Sequence, residues 1–362
     1  MCRVNVWNRR TATVVAGALP VVVLVSLVGL PTVPGTDIDL TVPYAAEGEG
    51  PTFNTLGDVD GTPVVDVTGA QTDETSGNLN MTTVSVRTRL SLSQALGRWI
   101  TSDDTIVPLE QVIPSNTSPE DVQRQNAAAF AASESNATVA AMNHLGKPLE
   151  TMVAGVNDDS PASGAVKEND IITAVDGQQV RVPGDVADKI ADRSPGDRVT
   201  LSVRRQGHDE KVEVTLGEVP ESLRSDSGAS AFLGVTMVAQ PAGDLRVEYN
   251  LKDIGGPSAG LMFSLAVVDK LSPGELSGGR FIAGTGTIDA DGSVGPIGGI
   301  THKIAAAAHA GAEAFLVPEG NCAEATSRGY DGDLTLIKVS SLDQAVDELD
   351  TFTSGGSPTT CG

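Results

Sequence analysis

The chain has 362 residues, with 24 Lys+Arg against 47 Asp+Glu and a formal net charge of −23 at pH 7. So acidic a surface repels phosphate backbones and excludes nucleic acid as a partner, and 3% aromatic residues leave little for stacking platforms. Hydrophobic residues at 40% suffice for folded cores in about two or three domains, while the absence of CxxC and of GxxxxGK[ST] removes zinc modules, dithiol redox motifs and an ATP site; no metal or cofactor is expected.

Residues 1–10 carry Arg3, Arg9 and Arg10 and no acid, and residues 12–33 carry no charge at all. At a rise of roughly 1.5 Å per residue, that run nearly matches a bilayer core of roughly 30 Å. Asp37, Asp39, Glu47 and Glu49 follow it, so the charge bias puts the N-terminus inside and the body outside. The expectation is a cytoplasmic segment at 1–10, a transmembrane anchor at 11–34 and a single-pass protein with an extracytoplasmic body. A cleaved signal peptide is the alternative, although Pro20, Pro31 and Pro34 interrupt its apolar segment. Cys2 stays on the cytoplasmic side in the anchored reading.

Residues 35–145 read as an N-terminal α/β region without chemistry of its own, a scaffold. Within it 35–60 looks like a tether, 62–88 alternates like strands, and 89–100 and 118–145 read as helices. Ser118-Pro119-Glu120-Asp121 is a helix start, with Pro at the first helical position.

Residues 146–217 change character: a strand at 151–156, a turn entering a short helix at 159–162, and a strand at 171–175 closed by the Asp176-Gly177 turn. A helix over 183–193 and two further strands follow, before a polar linker at 218–230. The string Ser160-Pro161-Ala162, Asn169-Asp170-Ile171-Ile172 and Val175-Asp176-Gly177 resembles a PDZ domain. That resemblance implies a peptide partner, added as an extra strand beside a helix with its terminal carboxylate on backbone N–H groups. Leu145-Gly146 is the one candidate for the carboxylate loop, and a PDZ fold used as a spacer is the alternative.

The chemistry concentrates in 231–350. Gly255-Gly256-Pro257-Ser258-Ala259-Gly260 precedes an apolar helix, so Ser258 falls at the end where unpaired N–H groups and the positive dipole lie. A hydroxyl there can attack a carbonyl while the N–H groups hold the oxyanion, or it can be an ordinary cap. His144, His208, His302 and His309 lie in no setting that suggests a triad. Lys303, opening a small apolar helix after Gly298-Gly299, is the alternative base if burial keeps it neutral; an exposed, charged lysine is the other reading.

These two motifs, in this order and with the strand FIAGTGTI between them, are similar to the proteolytic domain of Lon, a serine–lysine peptidase. The resemblance implies Ser258 as nucleophile, Lys303 as base, Thr285 orienting the lysine, and backbone N–H groups around Gly256, Pro257 and Ala259 at the oxyanion. The layout resembles membrane-anchored bacterial PDZ–Lon proteins of the YlbL type. It implies an α+β multidomain protein acting without ATP on unfolded or tethered proteins; a hexamer follows by analogy alone. The acidic residue often found before this serine motif is replaced by Gly255, with Asp253 the nearest acid. An inactive PDZ/Lon-like scaffold is the competing reading. Finally, Cys322 and Cys361 both fall in the outer compartment, where a disulfide would clip the 351–362 tail to the protease domain; two free thiols are the alternative.

Overall fold

The computed structural model of the chain describes residues 14, 17–20, 22, 28–114, 117–220, 230–252, 254–330 and 333–362. Much of the expected anchor at 11–34, most of the 218–230 linker, and Cys2, Arg3, Arg9, Arg10 and Asp253 lie outside the described residues. Among the described residues no helix is long and apolar enough to cross a membrane.

The first strand, β1 (Tyr44–Asn54), falls inside the stretch expected to be a tether. Ala45 and Ala46 are completely buried, but Glu47, Gly48, Glu49, Gly50 and Pro51 give the segment the composition of a linker. A bulge between Glu49 and Thr52 accommodates the proline-containing stretch. β2 (Val65–Thr68), β3 (Asn78–Arg87), helix α1 (Leu92–Thr101) and strand β4 (Thr105–Pro108) follow. Helix α2 (Pro119–His144) starts where its signals put it: the Ser118 hydroxyl accepts the Asp121 N–H at 3.1 Å.

A second sheet then forms from β5 (Leu149–Val156), β6 (Ile171–Val175), β7 (Arg198–Arg205) and β8 (His208–Thr215), with helix α3 (Pro183–Ala191) beside it. β7 buries every second residue, as an alternating strand should. Residues 157–166 make successive turns rather than the expected short helix, because Pro161 and Gly164 break the run. The sheet is completed by β9 (Val235–Pro241), which pairs antiparallel with β5, giving the order β8-β7-β6-β5-β9. Val153, Ile172, Leu201 and Val214 form its separate core.

The chain then returns to the first sheet through β10 (Arg246–Tyr249), which pairs with β2, and helix α4 (Gly260–Leu271). β11 (Phe281–Gly284), helix α5 (Ile300–His309), β12 (Ala314–Pro318), β13 (Thr335–Val339) and helix α6 (Leu342–Thr353) complete it. Its strand order is β13-β12-β11-β3-β1-β4. β11 lies parallel to β3, with Ile282 opposite Leu79. Residues 44–144, expected to be a scaffold, thus share one sheet and one core with 231–350, and the second sheet is an excursion between α2 and β10.

α4 is apolar on every side and buried from Gly260 to Asp269, as a central helix must be. Phe263 sits edge-on to Phe130 of α2 at 5.7 Å between ring centres and 4.7 Å from Tyr249. Phe263→Ala should cost about 3–5 kcal/mol, read as a lower urea midpoint at unchanged slope.

The expected 351–362 tail begins inside α6, which runs to Thr353. Beyond it Thr360 bridges Ile337, and the Cys361 N–H donates to the Leu336 carbonyl at 3.1 Å, covering the outer edge of β13. Cys322 and Cys361 form a disulfide across a separation of 39 residues. Chain-entropy arguments give such a closure about 4 kcal/mol. Reduction should therefore lower Tm and expose the β13 edge amides to hydrogen exchange.

Candidate active site

Ser258 lies two residues before α4, in a loop that its neighbours hold from three sides. Gly256, at φ 87°, donates its N–H to the Asn126 carbonyl of α2 at 2.9 Å. The Ser133 hydroxyl donates to the Pro257 carbonyl at 3.0 Å. The Ser258 carbonyl accepts the Gly286 N–H at 3.0 Å and the Thr285 hydroxyl at 3.1 Å. Each peptide unit around the hydroxyl is therefore fixed, and the positive end of α4 faces it.

Lys303 reaches the same point from the first turn of α5. Gly299, at φ 67°, precedes that helix, and a Cβ there would meet Val84 Cγ2 at 2.7 Å, so close packing on β3 requires glycine. Lys303 Nζ lies 2.7 Å from Ser258 Oγ and 2.9 Å from Thr285 Oγ1. The lysine is 3% exposed and Thr285 fully buried. Burial pushes the Lys303 pKa down to about 7.

Thr285 has one proton, and it points at the Ser258 carbonyl. Its lone pairs are then free to accept a Lys303 N–H, which fixes the direction of the amine beside Ser258 Oγ. If Lys303 serves Ser258 as its base, Thr285→Val should lower kcat about 10- to 100-fold and move the acidic limb of the pH profile. An unmoved pH profile would make the role of Thr285 purely structural.

Three of the four histidines are engaged elsewhere, and His208 stands exposed at the start of β8. His302 Nε2 lies 2.9 Å from Thr105 Oγ1, His144 pairs with Asp343, and His309 pairs with Glu49. Of the segment expected to supply oxyanion donors, Pro257 has no N–H and that of Gly256 is committed to Asn126.

A groove of about 930 Å³ runs past Ser258 and Lys303. Phe53, Met81, Val84, Phe130 and Ile254 give it an apolar floor, and Lys252 stands on its wall. Four of these residues, Phe53, Met81, Val84 and Phe130, come from the region that read as inert scaffold. No local signal identifies them, because they reach the groove through long-range contacts: the pairing of β1 with β3 and of β3 with β11, and the packing of α2 on α4.

In the second sheet β9 is an edge strand, with α3 packed nearby. The turn leading into it is Phe232-Leu233-Gly234-Val235, where the Ala162 N–H donates to the Leu233 carbonyl at 3.1 Å. Leu145-Gly146, the candidate carboxylate loop in the sequence, is instead the C-terminal cap of α2, with Leu145 packed on the first core. Phe232-Leu233-Gly234-Val235 is likewise an apolar-Leu-Gly-apolar step entering a strand, placed at the end of the unit rather than its start.

Residues 124–216 match the family model of the PDZ domain, and residues 251–350 match that of the Lon protease (S16) C-terminal proteolytic domain. The first match includes part of α2, which packs in the core of the first sheet. Over 93 residues the chain is 38% identical to a "Probable periplasmic serine endoprotease DegP-like" of Brucella suis, covering 25% of this chain and 17% of that protein. Over 141 residues it is 31% identical to a protein of the same description from Pseudomonas fluorescens, covering 35% of this chain and 30% of that protein. The chain thus spans less than a third of the length of these relatives. Among solved structures it resembles the PDZ domain of an SdrC-like protein from Listeria monocytogenes, at 24% identity and TM-score 0.22, over 24% of this chain and 86% of that one.

Proposed function

From a chain that unites a PDZ domain with a Lon-type (S16) C-terminal proteolytic domain, we propose an ATP-independent serine endopeptidase, anchored in a membrane by residues 11–34, that cleaves unfolded or tethered proteins outside the cytoplasm. The observation that carries this reading is the 2.7 Å approach of the buried Lys303 Nζ to Ser258 Oγ. A nucleophilic serine needs a base, and a desolvated amine is one.

Neutral Lys303 accepts the Ser258 proton as Oγ attacks the scissile carbonyl. The developing oxyanion is held by the Ser258 and Ala259 N–H groups at the positive end of α4, which is where such donors act most strongly. The Lys303 ammonium then protonates the departing amine. Water, deprotonated in turn by Lys303, attacks the acyl-enzyme carbonyl and releases Ser258. Thr285 positions the lysine throughout. The sequence carries no ATP-binding motif, so stable folded substrates stay intact.

The PDZ domain presents substrates by pairing a peptide with the free edge of β9, its terminal carboxylate lodged at the Leu233–Val235 turn. The Cys322–Cys361 bridge supports an oxidising compartment for the body.

The test is purified full-length protein, held in nanodiscs, with casein as an unstructured substrate. Equal cleavage with and without ATP is expected. Intact casein under both conditions would overturn the proposal and leave a PDZ/Lon-like scaffold.

A further inference from the structure

Helix α1 carries an apolar stripe that the fold does not cover. Leu92, Ala95, Leu96 and Trp99 stand at the i, i+3, i+4, i+7 spacing of one helix face, with Ile100 beside them. Of the five only Ala95 is buried; Leu96 is 45%, Trp99 68% and Ile100 71% exposed. Between this face and the chain at Val42 and Tyr44 lies a groove of about 260 Å³ lined by apolar side chains. Scattered apolar residues are normal on a surface, but a contiguous stripe with a groove beneath it marks a contact.

The end of the apolar run 12–33 comes to the same place. A Cβ on Gly29 would lie 3.9 Å from Ser93 Oγ of α1. The chain then turns back on itself, the Leu40 N–H donating to the Pro31 carbonyl at 2.8 Å, and docks by the Val42 N–H on the Leu90 carbonyl at 2.8 Å. The point where the run leaves the folded body is therefore the flank of α1. Arg87 and Arg89 are exposed just before the helix, in a chain whose net charge is −23.

We propose that the Leu92–Ile100 face of α1 rests on the lipid bilayer, with Trp99 and Ile100 at the boundary of headgroups and acyl chains and Arg87 and Arg89 among anionic headgroups. The inference rests on the membrane-anchor reading of residues 11–34, since a short connection from the anchor leaves this face no distance from the membrane. The arrangement is that of an interfacial amphipathic helix, with tryptophan at the level where its ring is preferred. Juxtamembrane arginines add attraction to anionic lipid. The α1 contact fixes the orientation of the body, where an anchor alone would leave it free to swing.

The chain has two tryptophans, so Trp7→Phe leaves Trp99 as the single tryptophan, excited selectively at the red edge of the band where tyrosine does not absorb. The full chain carrying that change is reconstituted into phosphatidylcholine–phosphatidylglycerol vesicles with brominated acyl chains. Trp99 emission should fall by roughly half or more and shift to the blue. Adding Leu96→Ser and Ile100→Ser should abolish the quenching while the protein still resists extraction by alkaline carbonate. Protein that resists carbonate but keeps Trp99 unquenched and open to aqueous acrylamide overturns the α1 contact and leaves the anchor standing. Protection from acrylamide that grows with protein concentration, without bromolipid quenching, overturns it in favour of a second copy on this face. Release by carbonate overturns the anchor and the α1 contact together.

Discussion

Ser258→Ala should abolish peptide-bond cleavage, by roughly 10⁴-fold or more in kcat, with the fold intact. The side chain removed is one hydroxyl in a loop whose shape is set by other groups: Asn126, Ser133, Thr285 and Gly286 hold the backbone on both sides of it. No core contact is lost, so the urea midpoint should stay close to wild type. Residual turnover near the wild-type rate would show that another group is the nucleophile. A large drop in midpoint would show that the hydroxyl serves the fold.

Lys303 variants should be equally inactive, for a different reason. Arginine stays charged at any accessible pH and cannot take the serine proton. Methionine fills a similar volume without any base. In the wild type, burial brings the Lys303 pKa to about 7, so kcat/KM should rise tenfold per pH unit below about 7 and level off above it. The protonated form has no lone pair to accept the serine proton, which fixes the sign.

The same shift predicts a stability signature. The folded-state pKa is about 7 against an ordinary value of 10.5. Between those values the unfolded chain binds a proton that the folded chain does not. The cost of burying the amine is therefore full below about 7 and is relieved as the pH rises toward 10.5. Wild type should gain stability relative to Lys303→Met across that window. A constant difference in Tm between the two proteins would mean that Lys303 titrates normally.

Much of this site is legible in the sequence, because its chemistry sits in short local strings. Ser258 follows a proline and precedes an apolar helix, and Lys303 follows a paired glycine that fixes a helix start. Thr285 stands out only through the family resemblance, and its hydroxyl lies between the Ser258 carbonyl and the Lys303 amine. Local signals also give α2, through Ser118 and Pro119, and the β6 turn at Asp176-Gly177, where both residues have positive φ.

What escapes the sequence is whatever depends on distant pairing. β1 looks like a linker because its charged and glycine residues outnumber the buried Ala45 and Ala46. The parallel contact of Leu79 with Ile282, and the packing of α2 on α4 at Phe130 and Phe263, have no local signature, so the residues that line the groove, Phe53, Met81 and Phe130, look inert. The Leu233-Gly234 step is hard to see in the sequence because β9, which it enters, comes last in chain order in its sheet rather than first.

The most direct measurement is the titration of the Lys303 amine itself, followed by NMR of lysine labelled at Cε and Nζ and assigned by the signal missing in Lys303→Met. A midpoint near 7 is predicted, and it should be present in folded Ser258→Ala as well. A midpoint at the ordinary value near 10.5 would mean a charged lysine at neutral pH, and the proposed dyad would have no base.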